Sequence, residues 1–349
     1  MSTVVIPRPP IVHGSLPSWG PRAIYAAAAA IAVGLVLGTD LSSALVLVAA
    51  AAIAGIVVYT WSRSVEGSRK ATDRGVTFGV SVAFLLAIAP LASLLITVIS
   101  KGAARFDGAF FTQTQRGVIG AGGGASHAIV GTLIITGIAT AISVPIGIMA
   151  AIYLQEYGRG RLRKVLTFFI DVMTGIPSIV AGLFAYALFA LFLGPGVRLG
   201  IVGSVALSVL MIPIVVRSTE EMLKIVPHHL REAAYALGVP KWRTILKVVL
   251  PTALAGIVTG VMLAIARIIG ETAPLLITTG VISSMNTNPL DGRMYNLAVF
   301  AFSEYKNPGV PPQPAIDRAW AAALTLIVIV MVLNLAARAV YRRFGTEIR

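Results

Sequence analysis

Cysteine is absent from all 349 residues, which removes disulfides, thiol nucleophiles and cysteine-held metals from consideration. Charge is almost as scarce. Asp, Glu, Lys and Arg together make up 12% of the chain against 57% apolar residues, whereas a soluble domain carries about 25% charged residues. Too few ionisable groups exist to clothe a water-exposed surface, so the chain belongs in a bilayer. Only four histidines occur. His127 stands alone, and His228 and His229 have no further ligand set beside them, so no metal centre is expected. Acidic residues are half as numerous as basic ones, giving a net charge of +14. Such a balance attracts phosphate backbones in a nucleic-acid-binding protein. Here, however, the basic residues fall mostly in short segments between apolar runs, where Lys and Arg mark the cytoplasmic side of a membrane protein. No nucleic-acid partner is expected.

Apolar runs long enough to cross about 30 Å of hydrocarbon recur along nearly the whole chain. They predict eight spans, at 23–38, 43–61, 76–99, 127–154, 165–193, 199–216, 251–279 and 319–341, and hence an all-α, polytopic helical membrane protein. With the N-terminus inside, nineteen Lys/Arg lie on the cytoplasmic side, seven lie outside, and Arg267 and, near the cytoplasmic end of the last span, Arg338 lie within spans. The reverse orientation would break the positive-inside bias, so both termini are expected to be cytoplasmic, with 1–22 as an N-terminal tail.

The first hairpin, 23–61, is dominated by Ala, Val, Ile and Leu and carries Asp40 in its tight turn. It reads as a lipid-facing addition to a six-span working core. A cleaved signal peptide is the competing idea, with small residues at Ser42 to Ala44. A second span follows at once and the leading segment exceeds twenty residues, which argues against cleavage. The run GVIGAGGGA at 117–125 contains a partial dinucleotide fingerprint at Gly120, Gly122 and Ala125, but lacks a preceding strand or a P-loop lysine. A flexible external loop is the expectation there. The Pro-, Gly- and Asn-rich segment 280–318 is expected to cover the outer face.

The longest cytoplasmic segment, 217–250, contains VPHHLREAAYALGVPKWRTILKVVL before Pro251. Pro227 can start a helix, Gly238 suits a left-handed helix end, and Pro240 opens the next turn. A short helix between two bends results, with Ala233, Ala234 and Leu237 as a small apolar face and Arg231, Glu232 and Lys241 around it. Such a helix either fits a groove on another protein and passes that protein's displacement to the spans, or lies at the interface as an ordinary loop. Span seven carries Arg267 and Glu271 within RIIGETAPLL. Four residues apart, they are expected to share one helical face. Either they neutralise each other in helix packing, or Arg267 attracts an anion in transit while Glu271 restrains it. Gly256 and Gly260 form a GxxxG, expected to allow close helix packing. Asp171 precedes GIPSIVAG in span five, where Gly175, Pro177 and Gly182 should bend or loosen the helix. It is either a buried carboxylate bonded to backbone or hydroxyl, or a gating or path-lining group.

The run Glu232, Ala233, Ala234, Gly238, Val248, Leu250 and Pro251 resembles the EAA loop of type I ABC importer permeases. That motif reads EAA, three residues, G, nine residues, I, any residue, LP; only Val248 departs, replacing one β-branched apolar residue with another. The segments at 131–157, GIPSIVAGLF at 175–184 and RIIGETAPLL at 267–276 extend the likeness, specifically to PstA-type permeases of phosphate-specific ABC importers. It covers about residue 76 to the C-terminus, leaving the hairpin outside the usual six-span pattern.

The resemblance implies a non-enzymatic transport subunit in the plasma membrane, paired with a PstC-type permease and two cytoplasmic PstB-type ATPases. An external PstS-type phosphate-binding protein would deliver the cargo. It implies that Glu232 to Gly238 dock on the ATPase, that ATP and magnesium bind there rather than on this chain, and that spans four to seven line a path in which Arg267 contacts phosphate. The alternatives are a permease for sulfate or molybdate, the sister PstC-type subunit, and a secondary anion transporter, which would not need the EAA loop. An intramembrane enzyme would need a nucleophile and base set that is not evident in the spans.

Overall fold

Prolines and glycines punctuate an otherwise continuous series of apolar helices. A computed structural model describes residues 14–38 and 43–344. Fourteen α-helices occur among the described residues, and no strand. They are α1 (Gly20–Gly38), α2 (Ser43–Val65), α3 (Ser68–Gly102), α4 (Gly108–Thr112), α5 (Ser126–Ile152), α6 (Gly160–Gly175), α7 (Ser178–Leu193), α8 (Gly200–Ile225), α9 (His228–Ala236), α10 (Lys241–Thr244), α11 (Leu250–Ile269), α12 (Ala273–Thr278), α13 (Leu297–Lys306) and α14 (Gln313–Phe344). Turns of π-helix at Tyr153–Tyr157 and Ile245–Val249 extend α5 and join α10 to α11. Among the described residues, six helical segments are long and apolar enough to span a bilayer, and a seventh arises if α6 and α7 count as one. The first expected span, 23–38, corresponds to α1, which is apolar but shorter. The turn holding Asp40, and Ser42 of the small-residue stretch weighed against signal cleavage, lie outside the described residues.

These residues fall into two compact units that divide between Ile96 and Thr97, inside α3. In the first, α1 and α2 pair, and Tyr25 stacks on Phe78 with ring centroids 5.4 Å apart. Glu66, in the α2–α3 connection, accepts hydrogen bonds from Arg74, Ser62 and the Leu16 backbone N–H. Arg74 foremost holds the Glu66 carboxyl at about 2, below its ordinary 4.5. Because the carboxylate form is preferred when folded, this tie is fully present above pH 4.5 and is lost as the pH falls toward about 2. Hydrogen-exchange protection across 62–74, each rate taken relative to that of an unprotected amide at the same pH, should therefore fall on acidification through that window, and Glu66→Gln should abolish this loss of protection.

In the second unit, α5 and α8 form the centre. Ser204 Oγ donates to the Ile135 carbonyl at 3.1 Å, and Ser208 Oγ to the Ala139 carbonyl at 3.5 Å. A methyl added at Gly147 would stand 2.7 Å from Val215. The contacts advance together along both helices, so α5 and α8 run parallel. Two parallel neighbouring spans require an odd number of crossings between them. The α6–α7 pair, bent by 110°, therefore carries the chain across once as a broken span and is not a re-entrant loop. Leu207, Met211 and Val215 of α8 pack with Ile135 and Ala139 of α5 and Ala264 and Ile268 of α11, all at most 1% exposed.

Three expectations are corrected here. Span five is two helices, because Gly175 ends α6, Ile176 is extended and Pro177 supplies the N-cap of α7. Span seven begins ten residues early, at Lys241, and breaks after Ile269. Segment 217–225 is helix, not loop, since α8 continues to Ile225 despite Pro213.

At the end of the unit opposite α9, the loop at 117–125 is not loose. Gly117, Gly120, Gly122 and Gly123 all take positive φ, a conformation glycine adopts without steric cost. Arg318 Nη1 donates to the carbonyls of Gly120 and Gly122 at 2.8 and 3.2 Å, and Arg105 Nη2 to that of Gly123 at 2.7 Å. Segment 280–318 contains α13 and the start of α14, and it sends Met294, Leu297 and Phe300 into the core. Its backbone reaches α5 so closely that a methyl at Gly131 would lie 2.0 Å from the Tyr295 carbonyl oxygen.

Candidate functional site

Glu232, Ala233 and Ala234 belong to α9, a helix held on a buried ion pair, and Gly238 lies in the turn that ends it. Pro227 caps α9, and the helix ends in two paired bonds: Gly238 N–H to Tyr235 O at 2.9 Å and Val239 N–H to Ala234 O at 3.1 Å. Gly238, at φ +74, supplies the left-handed residue this Schellman ending requires. Ala234 faces inward, while Glu232 and Ala233 are exposed. So is Leu237, at 83%. Pro251 and partly buried Leu250 sit in the first turn of α11, beyond the π turn, rather than on α9.

Sequence reasoning missed what holds α9 in place. Arg231, 8% exposed, donates through Nη2 to Glu156 Oε1 at 2.8 Å and through Nε to the same oxygen at 3.2 Å. It also donates to the carbonyls of Val226 and Leu223 at 2.7 and 3.0 Å. Lys241 Nζ bonds the Glu156 carbonyl and sits 4.9 Å from the centroid of the Tyr157 ring. The π turn after α5 thus carries the carboxylate that fixes α9. A carboxylate ending a long apolar run, in YLQEY, was the available signal.

Two broken spans meet beyond this region. Gly182 of α7 is not a hinge: a methyl there would stand 2.7 Å from Pro274 Cα on α12. Small size at Gly182 lets the second halves of both broken spans touch. Gly256 and Gly260 serve the same end against α8, where methyls would meet Met222 at 2.0 Å and Ser218 at 2.5 Å. Backbone breaks at membrane depth survive only when buried in protein or lining a cavity.

Arg267 lies in the last turn of α11 and is exposed. No hydrogen bond or ion pair joins it to another described residue, so the expected pairing with Glu271 is absent. The physical reason is the break: Gly270 ends α11, Glu271 N–H bonds Ile268 O at 3.2 Å, and Thr272 begins the next helix. The two charges do not share a continuous helical face. Asp171 is likewise not a buried group bonded to backbone. Its carboxylate, 60% exposed, pairs with Arg217 of α8, which also bonds the buried Glu220 at 2.9 Å. The three residues join α6 to α8 on the α9 side of the unit. Arg217 and Glu220 were not foreseen, because the loop was expected to start at 217. His127 is buried between the rings of Tyr295 and Phe300, each 5.7 Å away.

Residues 143–349 match the family described as binding-protein-dependent transport system inner membrane component. "Phosphate transport system permease protein PstA 1" of Mycobacterium tuberculosis strain H37Rv is 46% identical over 257 residues, covering 73% of this chain and 82% of that protein. PstA of Mycobacterium leprae is 44% identical, covering 78% of this chain and 90% of the relative, and that of Yersinia pestis is 42% identical, covering 72% and 83%. Among solved structures, a chain of a bacterial alginate ABC transporter in complex with an alginate pentasaccharide-bound periplasmic protein superposes with a TM-score of 0.58. It is 13% identical, over 80% of this chain and 98% of that one; this likeness concerns the fold alone. The chain is thus a multi-pass membrane permease with the ABC importer fold, and it belongs to the binding-protein-dependent transport permeases, within them to the PstA phosphate transport permeases.

Proposed function

We propose that this chain is one of two permease subunits of an ATP-driven phosphate importer, in which α9 receives the displacement of a cytoplasmic ATPase. The observation that carries the reading is α9 itself. Its inner side is locked to the π turn at Glu156, while Glu232, Ala233, Tyr235 and Leu237 face outward without cover. A rigidly held helix with an uncovered mixed face is suited to a groove on a partner. Any push on it passes through Arg231 to the ends of α5 and α8, and through Lys241 to α10 and α11.

On this reading the α9 side is cytoplasmic, as are both termini, and the membrane is the plasma membrane. A PstC-type permease supplies the other half of the path, two PstB-type ATPases bind ATP and magnesium, and a PstS-type protein delivers phosphate from outside. The broken α6–α7 and α11–α12 spans line the path, and Arg267 offers its unpaired guanidinium to a phosphate oxygen. Phosphate, rather than sulfate or molybdate, is favoured by the relatives named above.

Replacing Glu232 by alanine together with Gly238 by valine tests the coupling. Gly238 needs its positive φ, which a β-branched residue resists by about 1–2 kcal/mol. Reconstituted complexes should assemble and retain basal ATP hydrolysis while ATP-driven uptake collapses. Normal uptake in the double variant would remove α9 from the coupling role.

A further inference from the structure

Two arginines are pinned to one turn at the end of the unit remote from α9. Arg198 precedes α8, and its neighbour Leu199 donates its backbone N–H to the Thr278 carbonyl at 3.1 Å. Arg293 precedes Met294, which donates its N–H to the next carbonyl, Thr279, at 3.2 Å. Asn286 Nδ2 holds the Arg293 carbonyl from the loop side at 2.8 Å. Consecutive carbonyls after α12 therefore fix the backbone beside both arginines. Between them lies buried Gly280 at φ +74, where a methyl would stand 3.0 Å from Arg198 Cδ and 3.1 Å from Arg293 Cδ. Both side chains cross the same backbone position, and a Cβ there would force them apart.

Three other cations at this end have partners, whereas exposed Arg116 and Lys306 join no ion pair among the described residues and lie on no shared backbone position. Arg105 pairs with Asp107, Arg318 pairs with Glu304 at 2.7 Å, and Lys101 lies 5.2 Å from the centroid of the Trp320 ring. Arg198 and Arg293 are exposed, and neither joins an ion pair among the described residues. Asp291, two residues from Arg293, pairs with neither of them. Two like charges held together without a counter-ion repel, and an anion between them relieves that repulsion while accepting several forked hydrogen bonds. Convergence on one glycine suits a single compact anion; a surface for an acidic protein would spread its charges. The position matters too, since α12 links this turn to the break that follows Arg267.

We propose that Arg198 and Arg293 form an oxyanion-binding site at the external entrance of the path, which holds phosphate before it reaches Arg267. The identity of the cargo and the sidedness rest on the function proposed above. The site accounts for an arginine pair that folding alone leaves uncompensated.

Arginine-selective dicarbonyl labelling tests this in the full permease–ATPase complex in nanodiscs, without external binding protein. Inorganic phosphate is the probe, chloride at equal ionic strength the control, and mass spectrometry reads each arginine. Phosphate should slow labelling of Arg198 and Arg293 together, about tenfold at ten times its Kd, and leave exposed Arg116 unchanged. Arg293→Ala should remove the protection at Arg198, and Arg293→Lys should keep part of it. Unchanged labelling in a complex that does import phosphate would overturn the site while leaving the transport function intact. Protection by sulfate or molybdate but not phosphate would uphold the arginine site and overturn phosphate as cargo. Protection that appears only on adding the external binding protein, with or without phosphate, would overturn the proposal in favour of a protein-docking surface.

Discussion

Arg231→Ala is expected to abolish ATP-driven uptake while leaving the subunit inserted and the partner's basal ATP hydrolysis running. Removing one member of a buried ion pair leaves the other uncompensated, at about 3–5 kcal/mol. Here Glu156 would be that stranded charge, and the Val226 and Leu223 carbonyls would lose their donors as well. A penalty of that size moves a local equilibrium by about two to three and a half orders of magnitude, at about 1.4 kcal/mol per tenfold. Most copies of α9 would then be undocked from the π turn. Glu156→Gln should act in the same direction but less severely, because a neutral acceptor remains. Combining Arg231→Met with Glu156→Leu should restore part of the uptake, since replacing both charges with apolar groups removes the stranded one. Uptake and hydrolysis measured in proteoliposomes across this double-mutant cycle would isolate the pair. Full uptake in Arg231→Ala would mean that α9 does not need its anchor.

Arg267→Ala should lower uptake at least ten- to a hundredfold, from the loss of a charge-assisted contact of about 1.5–3 kcal/mol. Arg267→Lys should retain part of the activity, because an ammonium keeps the charge but not the planar fork. No described residue bonds Arg267, so its removal strands no partner and should leave thermal stability and ATP hydrolysis near those of the parent. That separation is the useful readout. Lost uptake with unchanged stability supports contact with the cargo, whereas lost uptake with lost stability indicates packing. Normal uptake would remove Arg267 from the path.

The all-helical membrane architecture was legible because hydrocarbon tolerates so few sequence patterns, and apolar runs report spans directly. Helix α9 was legible from Pro227, Gly238 and the EAA spacing, which specify backbone geometry locally. The breaks were harder. Gly175 and Pro177 signalled a bend, but not one of 110°, and the local stop signal in RIIGETAPLL, Gly270 with Pro274 beyond it, was obscured by the apolar run around it. That break rests on tertiary contacts, with Pro274 set against Gly182 and the Glu271 carbonyl meeting Asn296 Nδ2 at 3.5 Å. Four-residue spacing therefore misled on Arg267 and Glu271, since it holds only within an unbroken helix. Long-range ion pairs were the least legible. Arg231 and Glu156 are separated by 75 positions and Arg217 and Asp171 by 46, and sequence periodicity carries no information at such distances.

The central claim is that this permease moves phosphate under the control of ATP hydrolysis on a partner. Its most direct test is uptake of labelled phosphate into vesicles containing the full complex, in competition with sulfate and with molybdate. Phosphate should accumulate only with ATP and the external binding protein, and neither competitor should displace it at equal concentration. Uptake that persists without ATP, or that either competitor suppresses completely, would contradict the account.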